Sequence, residues 1–248
     1  MEIKLVFLTH ASAYNKRMKI NIPTKITIVR IVGVVALLAF YFAAWIAGMN
    51  GQAWASAQIG NSGIYVVNLV GCIVFVVAAA TDALDGYLAR KWHQVTTLGK
   101  FLDPIADKML VNSSLVLLAV SMPFYVNYAP ISMPHPLADT QALIPWICVV
   151  LMILRDLVVD TMRFVAASKG QVVAANIFGK LKTIFQMVAL PLVFLNGWPF
   201  SYFDGSWHPE LRVCMWFVYL ATLMSLISGV IYVIQNRHVL VDEVKDGK

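Results

Sequence analysis

Four aspartates hold the chemistry this chain is equipped for: Asp82 and Asp85, then Asp103 and Asp107. Each pair is spaced three or four residues apart, so on helices both members of a pair lie on one face. Two unit charges ~4 Å apart repel by about 4 kcal/mol at an effective dielectric near 20, so an uncompensated cluster would protonate or splay apart. A divalent cation removes the conflict. Carboxylate ligands with no nearby His or Cys select a hard ion, Mg²⁺ or Mn²⁺. Four carboxylates suffice for two ions in the bridging arrangement used in phosphoryl chemistry.

The elements that position them are membrane helices. Of the 248 residues 60% are apolar and only 13% charged, and the mean hydropathy is +0.74, too apolar for an ordinary soluble domain. Crossing about 30 Å of hydrocarbon takes ~20 helical residues. Six apolar runs approach or meet that length, at residues 26–49, 65–80, 105–126, 143–166, 184–195 with their flanks, and 213–234. The expected fold is an all-α integral membrane protein with six transmembrane helices. Its parts are an N-terminal cytoplasmic segment (1–20), a single six-helix membrane domain (21–236) and a cytoplasmic tail (237–248). No repeat or interdomain linker interrupts the domain, and residues 121–136 and 197–209 read as outer loops. No cleaved targeting segment is expected, and Met18 is an equally good start.

The net charge of +6 follows topology. Lys and Arg gather before the first run, between runs two and three, between four and five, and after six, whereas residues 50–63 and 127–141 have none. By the positive-inside rule both termini and the aspartates face the cytoplasm, in a multi-pass protein of the cell's inner membrane. Topology, anionic lipid and an anionic substrate account for the basic charge, which leaves nucleic acid with no role. Cys72, Cys148 and Cys214 lie far apart in apolar runs and read as buried small hydrophobes, and the five scattered His offer no zinc spacing.

Between the aspartate pairs stand Gly86, Ala89, Arg90 and Gly99. A lone Gly here reads as a loop or helix-end residue, but beside Asp85 and one turn before Asp103 it also admits close approach of a diphosphate or nucleotide. Arg90 alone is an inside-facing charge; beside a metal cluster it is a diphosphate clamp. Asp103-Pro104 also reads as a helix cap followed by a first-turn proline.

Taken together, Asp82-x-x-Asp85-Gly86-x-x-Ala89-Arg90, eight residues, then Gly99-x-x-x-Asp103-x-x-x-Asp107 resembles without a mismatch the signature of the CDP-alcohol phosphatidyltransferase family. The resemblance implies a six-helix membrane fold, a homodimer, and a cytoplasm-facing cavity where an alcohol displaces CMP from a CDP-linked lipid. It implies that Asp82, Asp85, Asp103 and Asp107 ligate the metal, with Asp107 also the general base. Asp82, Asp85, Gly86, Ala89, Arg90, Gly99 and Asp103 would bind the CDP moiety, Arg90 holding its diphosphate.

The acceptor is sought among the remaining polar residues: Thr24, Thr27 and Arg30 at the start of run one, Arg155, Asp156, Asp160 and Arg163 in run four, and Gly179-Lys180-Leu181-Lys182-Thr183 at run five. Singly, Lys180 and Lys182 are topology signals and Arg155 with Asp156 partners for other helices; together they exceed the cation that CDP-diacylglycerol needs, so an anionic acceptor would use the surplus. Resemblance over residues 19–236 points to the members that use glycerol 3-phosphate, with Thr27, Arg30, Arg155, Lys180 and Lys182 on the acceptor. Thr24 stands where such members often carry Asn, and Asp156 where they usually carry Glu. Other acceptors within the family are phosphatidylglycerol, inositol phosphate and serine. A cation or proton transporter is the remaining alternative, but an ion pathway would place ionisable groups at several depths.

Overall fold

The structure, a computed structural model, describes residues 21–60, 63–91, 97–120, 144–170 and 177–237. The expected N-terminal segment, the loop at 121–136 and all but the first residue of the tail lie outside them. Six long helices carry the described chain: α1 Ile22–Met49, α2 Val66–Lys91, α3 Thr97–Ala119, α4 Trp146–Ser168, α5 Ile177–Phe194 and α6 Val213–Gln235. Among the described residues the rest is single turns and loops, with one isolated bridge between Gln58 and Tyr65.

The six apolar runs thus correspond to the six helices, but the helices reach beyond them. The second runs on past Ala80 to Lys91, α3 opens at Thr97 rather than 105, and α5 opens at Ile177 rather than 184. The extensions hold the charged residues that ended the apolar runs. An apolar window marks where a helix meets lipid, not where its backbone hydrogen bonds end. Among the described residues four segments are long and apolar enough to cross a membrane: α1, α5, α6 and Val66–Leu84 of α2. In α3 and α4 the apolar run is broken by Lys100, Asp103, Asp107 and Lys108, and by Arg155, Asp156, Asp160 and Arg163.

The capping reading of Asp103-Pro104 does not survive. Pro104 lies inside α3, where it lacks the donor for a bond to the carbonyl four residues earlier and its ring crowds that carbonyl, and Asp103 stands more than a turn past the helix start.

Helix α1 shows how the fold serves the site. Its buried residues Thr27, Arg30, Val34, Leu37, Tyr41 and Ala44 recur at three and four, one continuous stripe that faces the other helices. Val29, Val32, Val35 and Phe42 cover the opposite, exposed side. The packed stripe is apolar along most of its length and polar in its first turns. Since lipid is as apolar as leucine, such helices are held by close packing and internal hydrogen bonds rather than by the hydrophobic effect. Gly71 of α2 illustrates this: a Cβ there would stand 2.8 Å from Phe194 of α5. Helix α1 packs against α2 and α3, α6 packs against α4 and α5, and the two groups meet through α2 with α5 and through α3 with both α4 and α5. The charged turns of α3 and α4 lie at that junction. Cys72, Cys148 and Cys214 are buried and free, as expected.

Candidate functional site

The polar turns of α1 reach two helices at once. Arg30, almost fully buried, forms an ion pair with Asp82 of α2. One turn earlier, the Thr27 hydroxyl donates to Asp103 Oδ1 of α3 at 2.8 Å. Spacing of three on α1 thereby holds one aspartate from each pair of the motif, across sequence separations of 52 and 76 residues.

Asp107 lines a cleft of about 250 Å³ formed by α3, α4, α5 and α6. Five cations border this cleft, Lys108, Arg155, Arg163, Lys180 and Lys182, against the three carboxylates Asp107, Asp156 and Asp160. The excess of positive charge suits an anion.

Four of these cations are held by their neighbours. The Lys182 ammonium, buried on α5, donates to both oxygens of Asp156 at 2.7 and 2.6 Å. Arg155 donates through Nη1 to Asp156 at 3.0 Å and through Nη2 to Ser228 of α6. Arg163 donates to the Tyr232 hydroxyl at 3.3 Å, its guanidinium 5.5 Å from the ring centre. Lys108 and Asp160 pair across α3 and α4. Arg155 reaches its place only because α6 has no side chain at Gly229, where a Cβ would stand 2.8 Å from Arg155 Cγ.

Of the residues expected at the acceptor, Arg155, Lys180 and Lys182 border the cleft, whereas Thr27 and Arg30 sit on the carboxylates of the motif. Gly86 lies within α2 with open space where its Cβ would be, and Gly99 is buried in the first turn of α3. Asp85, Ala89 and Arg90 lie in α2, their side chains outside the described set. Sequence reasoning passed over Lys108, Tyr232, Ser228 and Gly229. Lys108 had a signal, being next to Asp107; Ser228 and Gly229 sit in an apolar run with none.

Among the described residues no three His, Cys, Asp or Glu side chains stand together as a metal-binding group. The donor chemistry still fits a hard divalent ion. The motif offers carboxylate oxygens alone, from two packed helices, and Asp82 and Asp103 are already oriented by Arg30 and Thr27.

The family model for CDP-alcohol phosphatidyltransferase matches residues 20–227. A protein of Bacillus subtilis (strain 168) named CDP-diacylglycerol–glycerol-3-phosphate 3-phosphatidyltransferase is 34% identical over 220 residues, covering 89% of this chain and 97% of that one. A protein of the same name from Pectobacterium atrosepticum is 33% identical over 230 residues, 91% of this chain and 100% of that one. In Arabidopsis thaliana a protein so named, with the number 2, is 30% identical over 221 residues, 86% of this chain and 78% of that one. Similarity thus runs from the polar start of α1 through the aspartate helices and the basic cleft into α6, and the chain belongs to the CDP-alcohol phosphatidyltransferase family.

Proposed function

We propose that this chain transfers the phosphatidyl group of CDP-diacylglycerol to glycerol 3-phosphate, giving phosphatidylglycerophosphate and CMP in phospholipid biosynthesis. The observation that carries the reading is the cleft in which Asp107 shares walls with Arg155, Lys180 and Lys182: a carboxylate beside a surplus of cations suits an alcohol that carries its own phosphate. The relatives named above support the same substrates.

In this reading Asp82, Asp85, Asp103 and Asp107 would hold Mg²⁺ or Mn²⁺, which neutralises the diphosphate and stabilises the departing CMP; the family is divalent-cation dependent. Arg30 and Thr27 orient Asp82 and Asp103. Gly86, open at its Cβ position, lets the CDP moiety approach the backbone of α2, with Ala89 and Gly99 packing beside it and Arg90 on the diphosphate. Arg155, Lys180 and Lys182 bind the acceptor's phosphate, which aims its free hydroxyl at Asp107. Asp107 takes the hydroxyl proton as the oxygen bonds to the lipid-bearing phosphorus, and the bond from that phosphorus to the CMP oxygen breaks.

The charge pattern supports a placement in which all six long helices cross the inner membrane, with both termini and the cleft toward the cytoplasm. The functional unit in this reading is a homodimer. Purified protein given CDP-diacylglycerol, Mg²⁺ and each candidate acceptor in turn is expected to release CMP with glycerol 3-phosphate. Release with phosphatidylglycerol, inositol phosphate or serine instead would overturn the acceptor. Chelation by EDTA is expected to stop release, and added Mg²⁺ or Mn²⁺ to restore it; activity persisting in EDTA would remove the metal from the account.

Gly229→Ala tests the packing under Arg155. A methyl group at 229 forces the arginine aside, an overpacking that costs about 1–3 kcal/mol. The KM for glycerol 3-phosphate is expected to rise about tenfold, with a smaller change for CDP-diacylglycerol. Equal changes in both would mean that the variant had disturbed the whole bundle.

A further inference from the structure

The connection from α5 to α6 has its polarity inside out. It lies at the end of the bundle away from the cleft, since the cleft lining of α5 comes from its first turns, Gly179 to Met187, and the connection follows the last, Phe194. Within it Asp204 is fully buried and Arg212 is 3% exposed. Asp204 accepts the backbone N–H of Val213 at 2.8 Å and so caps α6. Arg212 donates to Asn196 at 3.1 Å and to the Gly205 carbonyl at 3.3 Å, closing the connection on itself. The large apolar side chains point the other way. Tyr202 is 86% exposed and Phe203 61%, flanked by exposed Trp198, Trp207 and Leu211.

In water this arrangement is unfavourable on both sides: charges are taken from solvent while aromatic rings are presented to it. It becomes favourable where the surroundings are apolar with polar groups close by, which is the headgroup boundary of a bilayer. The rings are also continuous with a lipid-facing surface. Trp216, Leu220 and Leu223 of α6 are exposed in the helix that follows, which is apolar enough to cross the membrane. The Trp216 indole donates to the Leu211 carbonyl at 3.2 Å and the Tyr219 hydroxyl to the Glu210 carbonyl at 3.1 Å. Side chains that keep an apolar body outward and return their polar tip to the backbone suit that boundary.

We propose that residues 198–211 form an interfacial anchor, a segment folded onto the bundle and seated among the lipids of the leaflet opposite the cleft, with Tyr202 and Phe203 entering the hydrocarbon edge. Asp204 and Arg212 lock the segment from within, so its outer face can be given over to lipid.

The test uses the full-length protein in phospholipid vesicles, with a nitroxide label on Tyr202→Cys, on Phe203→Cys and, as a water-exposed reference, on Lys169→Cys, in each case with the buried native cysteines replaced by Ala. Power saturation then compares collisions with oxygen, which concentrates in lipid, and with a neutral nickel chelate, which stays in water. The expected result is a rise in the oxygen-to-nickel ratio at 202 and 203 over that at 169. A ratio equal to that at 169 would mean that the segment stands in water and would overturn the proposal. Low collision with both reagents would mean that protein, such as a second copy of the chain, covers the rings, and would overturn it too. CMP release measured on the same samples reports separately on the proposed activity.

Discussion

Asp107→Asn is expected to lower kcat by about 10²- to 10⁴-fold, the range associated with a positioned general base, while the KM for CDP-diacylglycerol stays nearly constant. Asn preserves the shape and one oxygen of the side chain but does not take a proton at neutral pH. Among the motif aspartates whose side chains are described, Asp107 shares the cleft with the cations, whereas Asp82 and Asp103 are engaged by α1. Its loss should therefore register in turnover before it registers in lipid binding. Steady-state rates of CMP release at saturating glycerol 3-phosphate make the comparison. Turnover equal to that of the unmodified protein would exclude the base assignment, and a large rise in KM for CDP-diacylglycerol would make Asp107 chiefly a binding group.

Arg155→Ala should act on the other substrate. A hydrogen bond to a charged group contributes about 1.5–3 kcal/mol, so the KM for glycerol 3-phosphate is expected to rise about 10- to 100-fold, with little change for CDP-diacylglycerol. Arg155→Lys should recover little of the loss. The guanidinium reaches Asp156 through one nitrogen and Ser228 through another, and a single ammonium does not reproduce that fork. Equal effects on both substrates would place Arg155 in general packing. Restoration by lysine would mean that charge alone matters at 155.

Much of this architecture could be read from the chain because its signals are local. The apolar runs located all six long helices, and the spacing of Asp82 with Asp85 and of Asp103 with Asp107 placed each pair on one helix. The surplus of cations around Arg155, Lys180 and Lys182 was visible as composition before it was visible as a cleft. What escaped is non-local or concerns what surrounds a residue. The resemblance puts Arg30 on the acceptor, yet the structure sets it on Asp82, because α1 turns its polar stripe toward α2 and α3 rather than toward α4 and α5. No periodicity within α1 states which neighbour its stripe will meet. Asp103-Pro104 matched a cap locally and was overridden by the helix that continues through it. Residues 197–209 matched a loop by their Gly and Pro, and that pattern is silent on the direction in which Asp204 and Tyr202 would face.

The contact between Arg155 and Gly229 bears on how such a site can change over generations. A methyl group at 229 collides with the arginine Cγ, but where position 155 carries alanine the nearest atom left is the Cβ of residue 155 at 3.9 Å, an ordinary contact. The harm done by Gly229→Ala is therefore conditional: measured in an Arg155→Ala background it should largely vanish, a coupling between the two positions rather than a sum of two losses. A relative that keeps an arginine at 155 is expected to keep glycine at 229, and one that lacks the arginine is free of that constraint. The two positions, 74 residues apart, would then be inherited as one choice.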